Sequence, residues 1–80
     1  MDKKFNFYVR SIIAKRLGCH VEEVYCVWFS KTLQNAKGLF SSDVEASNGM
    51  YFEATYNGDK EELYLDSYKK ENNELLKVTL

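Results

Sequence analysis

Apolar residues recur at Phe5, Tyr8, Val9, Ile12, Ile13 and Leu17, the spacing that lines one face of a helix. This predicts a helix over residues 4–17. Gly18 stands where a left-handed residue would end it, and Lys15 and Arg16 suit the negative end of its dipole. Asp2 can cap the start, although Lys3 and Lys4 oppose the dipole there and predict fraying. Residues 24–29, Val-Tyr-Cys-Val-Trp-Phe, then form an unbroken β-branched and aromatic run, which predicts a central strand. Residues 31–42 alternate more weakly, with Leu33 and Leu39 on one parity and Ala36, Gly38 and Phe40 on the other, as a second strand bent at Gly38 would.

A polar stretch ending in Asn48-Gly49 reads as a turn before a third strand over residues 50–56. Asn57-Gly58 between two strand-like runs is the sequence of a type I′ hairpin turn, which needs positive φ at both central residues. A fourth strand follows over residues 61–66. Beyond it the pattern reads two ways: Lys, Glu and Leu content over residues 66–77 suits a helix, whereas Leu76, Val78 and Leu80 alternate as in a strand. The fold expected is α+β, a single domain over residues 1–80. Its N-terminal helix packs on an antiparallel meander of three or four strands, with a C-terminal helix on the same side as an option.

Composition narrows the function classes. Eleven Lys and Arg against twelve Asp and Glu give a net charge of −1, which argues against generic binding to polyanions. Twelve aromatic residues (5 Phe, 6 Tyr and 1 Trp) and 45% hydrophobic content predict a chain that folds. No apolar run approaches the roughly 18 residues that span a bilayer, and no secretory h-region follows the start, so a location in the cytoplasm is expected.

The only histidine, His20, adjoins Cys19, and Cys26 follows seven residues later. Neighbours along one strand of backbone do not make a nucleophile and its base, since such pairs need a third orienting group. A loop histidine and two reduced thiols is the simpler reading. Glu22, Glu23, Asp59, Glu61, Glu62 and Asp66 lack the spacing of a calcium loop and suit solvated edges. Neither metal nor cofactor is expected, and no arrangement supports an enzyme.

Residues 28–37 are the most suggestive. Trp28 is followed by Lys31, Thr32, Gln34, Asn35 and Lys37, an aromatic anchor among polar groups, as recognition surfaces are built. A buried Trp28 followed by an ordinary polar turn explains the same residues.

Residues 28–35 (Trp-Phe-Ser-Lys-Thr-Leu-Gln-Asn), 49–60 (Gly-Met-Tyr-Phe-Glu-Ala-Thr-Tyr-Asn-Gly-Asp-Lys) and 64–70 (Tyr-Leu-Asp-Ser-Tyr-Lys-Lys) together resemble a small family of uncharacterised proteins carried by phages and prophages of Gram-positive bacteria. The resemblance implies a phage-encoded protein of the bacterial host cytoplasm and brings no catalytic residues with it. The leading expectation is a small non-catalytic module that docks on a host or phage protein. A nucleic-acid-binding sheet is the alternative, with Tyr51, Tyr56, Tyr64 and Tyr68 as stacking rings near Lys69 and Lys70, and with Lys3, Lys4, Lys15, Arg16, Lys31 and Lys37 as a basic patch if they converge. A nucleotide-sequestering oligomer ranks third. An aromatic sheet face is also compatible with a homodimer.

Overall fold

A computed structural model describes residues 2–80. Helix α1 (Lys3–Leu17) leads through a short 3₁₀ turn at Val21–Glu23 into strands β1 (Val24–Thr32), β2 (Asn35–Ser42), β3 (Met50–Asn57) and β4 (Glu62–Lys69). The strands form one antiparallel sheet in the order β1-β2-β3-β4, so the expected α+β meander is the fold. The helix starts at Lys3 because the Asp2 carboxylate accepts the Phe5 amide at 3.1 Å, one of the donors a helix start leaves unpaired. Gly18, at φ 72°, ends it as expected.

Phe5, Val9, Ile13 and Ala14 bury one stripe of α1 against Val24, Ala36, Phe40, Phe52 and Ala54 of the sheet. Arg10 fastens the helix to the start of β1, its guanidinium donating to the carbonyls of Val24 at 2.8 Å and Val21 at 3.0 Å. Phe40, fully buried, forms the middle of this layer. Among the described residues, no element covers the other sheet face.

Four local expectations change. The apolar run over residues 24–29 forms an edge strand and not the central one expected, because Tyr25, Val27 and Trp28 face solvent where a central strand would be covered on both sides. The weak pattern over residues 31–42 conceals a hairpin: Thr32 pairs with Asn35, leaving the two-residue turn Leu33-Gln34, with Leu33 at φ 56°. Positive φ at the first central residue is the requirement of a type II′ turn, here met without glycine. At the β3–β4 hairpin, Asn57 pairs with Glu62, so the loop has four residues, and the positive φ falls on Glu61 (53°) rather than on Gly58. The Asn57 side chain accepts the Asp59 and Lys60 amides at 3.0 and 3.3 Å and shapes the loop itself, in place of a type I′ turn. Finally, no helix follows β4, which takes residues up to Lys69 as strand. Residues 70–80 are exposed and extended, with no turn or bend. A helix this short does not sustain itself without a packing surface.

Candidate functional site

Pairing assigns every strand residue to a face. The uncovered face carries Tyr25, Trp28, Ser30 and Thr32 from β1, Asn35, Lys37, Leu39 and Ser41 from β2, Tyr51, Glu53, Thr55 and Asn57 from β3, and Glu62, Tyr64, Asp66 and Tyr68 from β4. Trp28 reaches this face through a bulge. The pairing steps from Cys26–Phe40 to Trp28–Leu39, leaving Val27 as an extra residue in β1. In a strand without the bulge, Val27 would take a regular position and Trp28 would share the parity of Val24 and Cys26 and point at α1. With the bulge, Phe29 turns inward, its ring 5.6 Å from that of Phe5, and Trp28 is left 53% exposed.

The face divides into two halves. One end is aromatic: Trp28 lies beside Leu39, and the rings of Tyr51 and Tyr68 stack at 4.9 Å with planes 14° apart. Val27 and Tyr25 are exposed beside them. The other end is a shallow polar depression of about 330 Å³ lined by Ser30, Thr32, Asn35, Lys37, Thr55 and Asn57 among others. Between the halves, Glu53 and Asp66 stand directly opposite each other. Lys37 answers one of these charges, its ammonium 3.6 Å from Glu53. The Tyr68 phenol is raised above its ordinary value, chiefly by the charge of Glu53, then by burial and by Asp66. A face with this potential favours cations over anions.

Of the six residues that the sequence singles out, the structure brings Trp28, Thr32, Asn35 and Lys37 to this face and turns Lys31 and Gln34 to the other side of the sheet. Lys31 pairs with Asp2 at 3.4 Å. Gln34 binds the Asp59 carboxylate, and the Asn35 side-chain oxygen accepts the Gly58 amide at 3.0 Å. Those three side chains therefore hold the fold together as well as lining its surface. Sequence reasoning missed Tyr25 and Leu39 as members of the face. The alternation of β2 carried the signal for Leu39, on the parity opposite the Gly38 and Phe40 pair.

On the α1 side, Asp2, Lys4, Phe5, Tyr8, Lys31, Gln34, Tyr56 and Leu63 are among the residues around a groove of about 480 Å³ between the helix start and the ends of the hairpins. Tyr56 thus lies on the opposite side of the sheet from Tyr51, Tyr64 and Tyr68. Lys3, Lys4, Lys15 and Arg16 are carried by α1 on that same side. The two cysteines are free, and partial burial raises both thiols, the reverse of what an activated nucleophile requires. Among the described residues, no three His, Cys, Asp or Glu side chains gather as a metal site, and no helix is long and apolar enough to cross a membrane.

A family model, Family of unknown function (DUF6275), matches residues 2–78. The chain belongs to that family. No curated protein and no solved structure matches.

Proposed function

We propose that this member of the family is a small non-catalytic binding module, a phage-type accessory protein of the bacterial cytoplasm, that docks on a host or phage protein through the uncovered sheet face. The observation that carries the reading is the exposed Trp28, set by the Val27 bulge beside Leu39 on a face that also carries the stacked Tyr51 and Tyr68 and a polar depression. Aromatic anchors with a polar surround are the composition of protein interfaces. The uncompensated carboxylate of the Glu53–Asp66 pair suits a partner that brings a Lys or Arg beside an apolar side chain.

The same face offers rings for bases to stack on, the feature that favours nucleic acid as an alternative. Its charges oppose that alternative: Glu53, Asp66 and Glu62 share the face with one lysine, and the cations of α1 lie behind the sheet. Affinity purification of the tagged chain from its host, with protein, nucleic acid and small molecules all analysed in the eluate, separates the classes. One stoichiometric protein is the expected result. Recovery of nucleic acid with a steep salt dependence, or of a bound nucleotide, would replace the reading with the matching alternative.

A further inference from the structure

The sheet ends in two unpaired edges, β1 and β4, and they are built differently. β1 is interrupted by Val27, and a bulge of this kind twists an edge away from the addition of another strand. β4 pairs with β3 in unbroken register from Glu62 to Lys69, and the chain has no proline to interrupt it. It therefore presents a regular row of outward amides and carbonyls.

The chain does not turn where β4 ends. The Lys70 amide donates to the Gly49 carbonyl, carrying the β3–β4 ladder one residue further, and residues 70–80 run on without a turn or bend. Leu75, Leu76, Val78 and Leu80 on this extension are 83%, 70%, 65% and 113% exposed. An open strand edge and a straight extension bearing four aliphatic side chains thus belong to the same strand. Folding the extension back onto its own β4 would need a reversal near Asn72-Asn73, and the structure has none there. A second copy of the chain covers both features without one.

We infer that the chain forms a two-fold homodimer in which residues 64–80 of the two copies pair as antiparallel strands, the extension of each lying along β4 of the other. Charge selects the register. Direct partners across a two-fold axis normal to the sheet lie on the same face, so one residue sits on the axis and pairs with itself. Lys70, Glu71 or Glu74 on the axis would each oppose its own copy, and Asn73 there would set Lys69 against Lys77; like charges directly opposite are destabilising. Asn72 on the axis avoids all of these. It sets Lys70 against Glu74, and on the uncovered face it sets Leu76 against Tyr68 and Leu80 against Tyr64. Each copy then adds aliphatic side chains to the other's uncovered face. The inference rests on the edge and the extension, not on what that face binds.

Sedimentation of the full chain over a range of concentrations tests it. The expected mass is that of two chains, with dissociation on dilution and with amides of residues 74–80 gaining protection from hydrogen exchange as concentration rises. Lys70→Glu sets glutamate against Glu74 at two symmetric places, and it should weaken the dimer about tenfold while leaving the circular dichroism of the fold unchanged. Adding Glu74→Lys should restore it. A monomer at every concentration would overturn the inference, whether its extension is unprotected or folded back on its own β4. So would a dimer indifferent to Lys70→Glu.

Discussion

At the scale of single residues, Tyr68 and Asp2 show how the environment shifts a titration in opposite directions. Glu53 faces Asp66 across the β3–β4 pair, an arrangement that opposes folding and that Lys37 relieves only in part. The neighbouring Tyr68 registers the result, because losing its proton would add a third negative charge beside two others. Glu53→Gln should therefore move the Tyr68 titration back toward its ordinary value near 10, followed by NMR of labelled tyrosines. An unchanged titration would show that burial and not charge raises it.

Asp2 works in the opposite sense. The Phe5 amide, with help from Lys31, holds its carboxyl below the ordinary 3.8. A value lowered by folding means a contribution fully present above the unfolded value and lost as pH falls through the folded one. Asp2→Ala should lower the thermal midpoint at neutral pH, and the gap from the wild type should close as the solution is acidified below the carboxylate range. A gap independent of pH would assign the effect to something other than the charged cap.

At the scale of elements, the two hairpin tips explain one another. Gln34 and Asn35, at the tip of the first, hold Asp59 and Gly58 at the tip of the second. A Cβ on Gly58 would collide with the Gln34 carbonyl oxygen, so the glycine permits close approach of two backbones and not a left-handed turn. Gly58→Ala should cost about 1–3 kcal/mol in chemical denaturation, as overpacking against a fixed neighbour does. A loss below about 0.5 kcal/mol, the range of an ordinary surface change, would show that the tips are free to part.

The same region marks how far the sequence reaches. Helix α1 is legible because its apolar stripe, its Asp2 cap and its Gly18 stop agree with one another. The alternation of β3 is legible for similar reasons, while the apolar run of β1 marks a strand but not its place at the edge of the sheet. The Leu33-Gln34 turn is not, since neither residue carries a turn signal and strand pairing on both sides overrides the preference of leucine for negative φ. Asn57-Gly58 announces a hairpin correctly but for the wrong reason: asparagine supplies hydrogen bonds and glycine supplies space. The exposure of Trp28 is beyond any reading by alternation, because the single extra residue Val27 inverts the parity of everything after it in β1. The six residues over 28–37 do not all share one face for a similar reason. Neighbours along a strand point to opposite faces, so Lys31 and Gln34 leave Trp28 and Lys37 behind.

At the scale of the whole molecule, one helix covers one side of a four-stranded sheet and leaves the other to solvent. A domain of this size spends most of its apolar side chains on a single core, which makes an aromatic cluster on the far side the feature most in need of an explanation. Trp28 is half exposed and its removal opens no hole in that core. The binding account and a purely structural account therefore diverge at this one side chain. The direct comparison is affinity capture from host cells with the wild-type chain, with Trp28→Ala, and with Tyr8→Ala as a control on the α1 side, each variant confirmed as folded by circular dichroism. Capture of one protein by the wild type and by Tyr8→Ala, and its loss with Trp28→Ala, is the result expected. Retention of that protein by Trp28→Ala, or its loss with Tyr8→Ala alone, would contradict the account and move the binding surface to the helix side of the sheet.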